Sequence, residues 1–332
     1  MARHFQSFLI IQTAFIGDVI LATALIEKIH QHYPRADIDF LLRKGNEGLL
    51  IGHPYLRNVL IWNKKQSKIS NLLKIIKQVR DNRYDCLVNV HRFASSGFIT
   101  ALSKAKLKIG FDKNAISFLF DKKIKHEIGS LHEVQRNQKL IEGITNTEFS
   151  KPRLFPALTD FEKVKSMEVG DYICVAPTSV WFTKQFPAEK WIDFLKSVRG
   201  KFKNIYLLGA PADYVVCESI RNAAADESVI NLSGKLSFLE SAALMKDATM
   251  NFVNDSAPMH IASAMNTPVT AIFCSTVPSF GFGPLSDRSF IVETEEKLDC
   301  RPCGLHGYKA CPKGHFKCAY EIRNEKILSV LK

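Results

Sequence analysis

No apolar run in these 332 residues approaches the roughly 20 needed to cross a bilayer, so no membrane-spanning helix is expected. Met1-Ala2-Arg3-His4-Phe5 leads straight into a strand without the small-residue cleavage site of a secretory leader, which points to a cytoplasmic protein. The dinucleotide signature G-x-G-x-x-G is missing, and with it any case for NAD or FAD. No repeat at a solenoid period is visible. Acidic residues are scarce: 33 Asp and Glu stand against 45 Lys and Arg, a formal net charge of +12. Such an excess fits a phosphorylated substrate, an anionic membrane or a nucleic acid as partner, or simply a basic proteome.

At this length about two domains are expected, and 46% hydrophobic residues suffice for packed cores. Residues 8–11 read as a strand and 12–18 as a loop, after which Val19, Ala22, Leu25, Ile26 and Ile29 recur at helical spacing. A strand at 38–42 completes a βαβ start to a parallel sheet. Residues 65–83 read as a basic amphipathic helix, 84–90 as a buried strand and 104–125 as a second basic stretch. The two basic stretches are either solvated faces or a patch for anionic lipid head groups. Residues 151–168, with Pro152 and Pro156, show little sheet patterning and read as a linker. Strands and helices then alternate again over 172–273. The expected fold class is α/β, with one Rossmann-like domain over 1–155 and a second over 170–332. The second ends in a Cys-rich segment, 300–318, and a C-terminal helix.

Open α/β sheets bind ligands at the carboxyl ends of their strands. The loops at 12–18, 177–184, 209–211, 233–236 and 254–260 are therefore expected to converge on a cleft between two facing domains. The sharpest is Asn254-Asp255-Ser256-Ala257-Pro258-Met259-His260, which follows an apolar run at 248–253 and opens a helix. Asp255 and Ser256 are natural N-caps, and Pro258 is tolerated only in a first helical turn. Such a turn aims backbone N–H groups and a positive dipole end at one point, which favours a phosphate; His260 adds a donor. On the 177–184 loop Thr178 and Ser179 offer hydroxyls and Lys184 a full charge. Together with the helix start they can bracket a pyrophosphate without a metal. Gly209 lies at another of these strand exits. Asp18 is the only carboxylate of the first loop. It reads either as a general base for an attacking hydroxyl or as a plain helix cap. The dipole there keeps it ionised and makes it a weaker base.

Three segments carry a family resemblance: Ile11-Gln12-Thr13-Ala14-Phe15-Ile16-Gly17-Asp18-Val19-Ile20, the 254–260 motif, and Cys311-Pro312-Lys313-Gly314-His315-Phe316-Lys317-Cys318. Lesser matches are Ile109-Gly110-Phe111-Asp112, His132-Glu133-Val134-Gln135-Arg136-Asn137 and Leu207-Leu208-Gly209-Ala210-Pro211-Ala212-Asp213. In this order the set resembles glycosyltransferase family nine, the ADP-heptose:lipopolysaccharide heptosyltransferases. The resemblance implies a GT-B architecture, two Rossmann-like doubly wound domains facing a cleft, with the acceptor on the N-terminal side and the nucleotide sugar on the C-terminal side. It also implies inverting, metal-independent transfer of heptose from ADP-heptose to the lipopolysaccharide inner core, with no cofactor required and no nucleic-acid partner. Such an enzyme is expected in the cytoplasm, peripherally on the inner membrane. By the same resemblance Asp18 matches the base and Lys184 the lysine that neutralises donor phosphate. Asp255, Ser256 and His260 match the donor-binding motif, Ala257 and Pro258 lie within it as further donor-binding candidates, and Leu236 is implied near the adenine. Ala257 stands where the family usually has Gly, and Phe282-Gly283-Pro284 replaces Trp-Gly-Pro. Two other readings stay open. One is a transferase of this fold with a different nucleotide sugar. The other is a non-catalytic nucleotide-sugar or nucleic-acid binding protein, which would not need Asp18.

Of the eight cysteines, Cys86, Cys174, Cys217 and Cys274 are scattered through apolar runs and read as buried small residues. Cys300, Cys303, Cys311 and Cys318, with His306 and His315 among them, have the density of a ligand set. A structural Zn2+ site is one reading and free thiols packing an irregular loop the other.

Overall fold

The computed structural model describes residues 5–129 and 131–331. Met1 to His4, read above for a leader, lie outside the described residues, as do Ser130 and Lys332. The chain divides into two compact units, Met1–Phe155 and Pro156–Lys332.

In the first unit the elements run β1 (Ser7–Ile11), α1 (Ile16–His32), β2 (Asp37–Arg43), β3 (Asn58–Trp62), α2 (Lys68–Asn82), β4 (Cys86–Asn89), α3 (Ala94–Leu102), β5 (Leu107–Phe111), β6 (Lys122–Ile124) and α4 (Glu133–Lys139). Among the described residues the strands form one parallel sheet in the order β3-β2-β1-β4-β5-β6. Phe8, at its centre, pairs with Ile38 on one side and Cys86 on the other. Phe8, Leu9, Ile10 and Ile11 are all fully buried. A parallel strand covered on both faces is apolar throughout, which is why β1 reads as an unbroken hydrophobic run. Leu9, Ile11, Leu41, Leu60, Ile75, Ile76, Val79, Leu87 and Ile99 share one core cluster, so α2 and α3 cover the same face of the sheet. Helix α4 packs against α1.

The second unit repeats the plan. It runs α5 (Leu158–Val164), β7 (Tyr172–Ala176), α6 (Ala188–Ser197), β8 (Asn204–Leu207), α7 (Tyr214–Ala224), β9 (Val229–Asn231), α8 (Phe238–Lys246), β10 (Met250–Asn254), α9 (Ala257–Met265), β11 (Val269–Phe273), β12 (Ser289–Glu293), α10 (Lys317–Tyr320) and α11 (Asn324–Leu328). Its parallel sheet has the order β12-β11-β10-β7-β8-β9. The segment that reads as a linker holds α5, which packs on α8. The core gathers Trp191, Phe194, Phe252 and Ile272, and includes Phe316, Cys318, Ala319 and Ile322 from the Cys-rich end of the chain.

Candidate active site

In the first unit β1 ends at Ile11 and the chain turns through Gln12 to Phe15 into α1. Asp18 sits in the first turn of α1, and its carboxylate accepts the Phe15 backbone N–H at 3.1 Å. The loop is held from three sides. Lys64 Nζ donates to Thr13 O at 3.0 Å and to Thr13 Oγ1 at 2.9 Å. His91 Nδ1 lies 3.2 Å from Thr13 Oγ1, and Asn46 Nδ2 donates to Ala14 O at 3.2 Å. Burial pushes the Lys64 ammonium down to about 8, helped by the Arg43 charge. Burial and the charges of Lys64, Arg92 and Arg43 push His91 down to about 3, so its ring is neutral.

Asp18 moves the other way. Desolvation and the charge of Glu133 raise it from 3.8 to about 6, against the Phe15 N–H, Arg92 and Arg43. Glu133 opens α4 and is buried. Arg136 clamps it with Nε at 2.8 Å and a terminal nitrogen at 2.7 Å, and His126 Nε2 is 3.6 Å away. Burial lifts the Glu133 carboxyl, but His126 and Arg136 outweigh it and hold the group below its ordinary value. Glu133 therefore stays ionised, and Asp18 is a carboxylate of unusual basicity at a helix start. The helix dipole, which weakens Asp18 as a base, is outweighed by desolvation and the like charge of Glu133. The sequence pointed to Asp18; it did not single out Lys64, His91 or Glu133 for the site. Glu133 and Arg136 were visible only as parts of a lesser motif.

In the second unit the exit of β7 carries Thr178, Ser179 and, on a 3-10 turn, Lys184. Lys184 Nζ lies 2.7 Å from Asp255 Oδ2, and Thr276 Oγ1 donates to the same oxygen at 2.6 Å. Asp255 is buried, so the pair is largely shielded from water. Asn254 Oδ1 accepts the Phe186 N–H at 3.0 Å, and its Nδ2 lies 3.4 Å from Thr178 O, which ties the β7 exit to the β10 exit. Ser256 is the N-cap residue of α9 in extended conformation and forms no side-chain capping bond. Its Oγ lies 3.4 Å from Asn254 O instead. Pro258 occupies the first turn, followed by buried His260. Helix α9 thus starts next to the Lys184–Asp255 pair with no side-chain cap on its N-terminus, and with Ala257 at its first position. Gly209 and the 233–236 loop are joined by the Gly234 N–H donating to Gly209 O at 2.9 Å; Leu236 is half-buried just ahead of α8. The structure thus brings together Lys184, Asp255 and the backbone of Thr178, and separately Gly209 with the Leu236 loop. It adds Thr276, at the exit of β11. The strand-exit rule would have found it had that loop been counted.

The four clustered cysteines are free thiols, and among the described residues no group of three or more His, Cys, Asp or Glu side chains is arranged to hold a metal. Cys318 is buried in the second core and Cys311 packs against it, while Cys300 Sγ lies 3.8 Å from His315 Nε2. Burial and the neighbouring cysteines raise the Cys303 and Cys318 thiols, so the four sulfurs lie within electrostatic reach of one another. The segment also fastens the Lys184 turn: Tyr308 N–H donates to Thr183 Oγ1 at 2.8 Å, Thr183 N–H to Tyr308 O at 3.1 Å, and Cys303 N–H to Ser275 O at 2.8 Å. Gly307, at φ +76°, is required there, because a Cβ would sit 2.8 Å from Thr183 Oγ1 and 3.0 Å from Lys184 Cγ.

The profile of glycosyltransferase family 9 (heptosyltransferase) matches residues 72–307. Lipopolysaccharide heptosyltransferase 3 of Escherichia coli K12 is 28% identical over 278 residues, covering 78% of this chain and 80% of its own. Among solved structures, a family 9 glycosyl transferase from Veillonella parvula superposes with a TM-score of 0.87 at 18% identity, covering 100% of this chain and 97% of its own. E. coli ADP-heptose lps heptosyltransferase II gives 0.80 at 19% identity, over 98% of this chain and 97% of its own. These likenesses establish the α/β GT-B fold. The profile match spans well over half the sequence, and the chain belongs to glycosyltransferase family 9: it is a glycosyltransferase.

Proposed function

We propose that this enzyme moves heptose from ADP-heptose to the inner core of lipopolysaccharide, with inversion at the anomeric carbon. The observation that carries the reading is Asp18, a carboxylate raised to about 6 by burial and by Glu133. A protein that only binds a nucleotide sugar has no use for such a base. As the acceptor oxygen bonds to the anomeric carbon, its proton passes to Asp18. The bond from that carbon to the β-phosphate oxygen breaks, and ADP leaves with the electron pair. A single displacement inverts the centre and forms no sugar–enzyme bond.

Lys184 and the first turn of α9 neutralise the departing diphosphate, so the step calls on no metal for that charge. Asp255 and Thr276 aim Lys184, and Thr178, Ser179, Ser256 and His260 add polar groups to the same region. Leu236 and Gly209 line the nucleoside end. The N-terminal unit takes the acceptor, and the enzyme works at the cytoplasmic face of the inner membrane, where a lipid-anchored acceptor is presented. ADP at 100 times its Kd should stabilise the protein by about 2.7 kcal/mol, and the gain should persist in EDTA. Loss of the ADP effect in EDTA with the fold intact would overturn the metal-free reading. Absence of stabilisation by ADP, set against clear stabilisation by another nucleotide, would overturn the donor.

A further inference from the structure

The positive charge of this protein is concentrated in one place. Residues 64–125 hold fifteen Lys and Arg against four acidic residues, a net +11 of the chain's +12. Three of those four acids are already paired: Asp81 with Lys77 at 2.7 Å, Asp85 with Lys106 at 2.7 Å and Asp121 with Lys108 at 3.7 Å. The stretch builds the α2–α3 layer of the first unit and the segment that follows β5.

The same layer exposes apolar side chains. The stripe of α2 is wider than its sheet can cover. Ile75, Ile76 and Val79 enter the core, but Ile69 and Leu73, on the flank of the stripe, are 77% and 60% exposed. On α3 Ile99 points inward, while Phe98 and Leu102, one turn apart, are 45% and 44% exposed. Phe118 and Leu119, on a 3-10 turn, are 69% and 50% exposed. That turn lies next to α3 because Gly97 has no side chain. A Cβ there would be 2.3 Å from Asn114 Oδ1 and 2.6 Å from Ile116 Cβ. Asn114 is further fixed by donating to His91 O at 2.8 Å. Helix α2 packs against α3, so the exposed residues occupy neighbouring elements of one layer.

We propose that this face seats the enzyme on an anionic phospholipid bilayer, with Ile69, Leu73, Phe98, Leu102, Phe118 and Leu119 entering the interface and the surrounding lysines meeting lipid phosphates. The proposal rests on the reading that the acceptor is lipid-anchored, and it assigns the surface and the side chains. Apolar groups ringed by long cationic side chains suit the boundary between head group and acyl chain, where the apolar part is buried and the charge stays with phosphate. A second copy of the same face is disfavoured, because two such charges repel. Nucleic acid would account for the lysines and the phenylalanines, but it leaves the exposed aliphatic residues of α2 without a role.

Three variants and two vesicle types test it, all in the full chain. The wild type should co-sediment with phosphatidylglycerol-containing vesicles, less so at high salt, and poorly with phosphatidylcholine vesicles. Ile69→Ser combined with Leu73→Ser should lower the partition about tenfold without lowering Tm. Lys68→Ala should lower it about fivefold. Phe118→Trp should show a blue-shifted emission on adding anionic vesicles, a readout that requires entry of the side chain. Transfer to a soluble, delipidated acceptor should be unchanged in all three. Equal partition of the Ile69/Leu73 variant and the wild type, or an unshifted Phe118→Trp spectrum, would overturn the proposal. So would a wild-type dimer in sedimentation that Leu73→Ser dissociates, or oligonucleotide binding that displaces the protein from vesicles at equal phosphate. If docking fails while soluble transfer persists, the enzymatic reading stands. If soluble transfer fails while the variants lose docking as stated, the docking face stands without it.

Discussion

Replacing Asp18 with Asn should make this protein more stable at neutral pH. Asp18 is raised from 3.8 to about 6, first by desolvation and then by Glu133. A folded-state value above the unfolded one means that the native protein holds its proton to higher pH. Stability is then lost as pH climbs from about 4 through 6, and the loss is complete above that window. A shift of about two units corresponds to about 3 kcal/mol. The side chain is half-buried, and solvent screening reduces this to about 2 kcal/mol. Asn cannot ionise, and its Oδ1 can still accept the Phe15 N–H that Asp18 holds at 3.1 Å. Asp18→Asn should raise Tm at pH 8 by about 4–8 °C, with the gain falling to about half at pH 5. Thermal and urea melts of both proteins across that range are the assay. A variant less stable than wild type at pH 8 would show that Asp18 serves mainly as a cap. A stability difference that ignores pH would show that its ionisation carries no cost.

Lys184→Ala should cost about 3 kcal/mol, because it strands the buried Asp255 carboxylate, and it should also weaken ADP binding. The double variant Lys184→Ala, Asp255→Asn should recover most of the stability and none of the ADP affinity. Recovery of both in thermal-shift titrations would remove Lys184 from the donor site. Glu133→Gln removes the like charge beside Asp18, so the acid limb of kcat/KM should move to lower pH; an unmoved limb would mean that Glu133 does not tune the base.

The central strands of both sheets were legible because parallel strands are apolar on both faces. That holds for β1, β7 and β11, and for the buried run that ends at Asn254. The strands β3, β5, β6 and β12 were not picked out. Lys108 interrupts β5, β6 is largely lysine, and β12 is a half-exposed edge strand. Residues 158–164 read as linker because α5 is short and buries only Val164 among its residues. Helix-start and strand-exit patterns pointed to Asp18, Lys184 and the 254–260 turn, since these signals are local. Partners distant in sequence were invisible: Thr276 for the Lys184–Asp255 pair, Lys64 and His91 for the Thr13 loop, Glu133 for Asp18. The upward shift of Asp18 is set by burial together with such a partner, and no local pattern encodes either.

Transfer by this enzyme is predicted to depend on Asp18 taking the acceptor proton. The most direct test is the turnover of Asp18→Asn at pH 8 with ADP-heptose and a lipopolysaccharide inner-core acceptor. The predicted result is a kcat lower by about 10²–10⁴-fold, with the KM for ADP-heptose unchanged. A kcat within about threefold of wild type, with donor and acceptor saturating, would contradict the account.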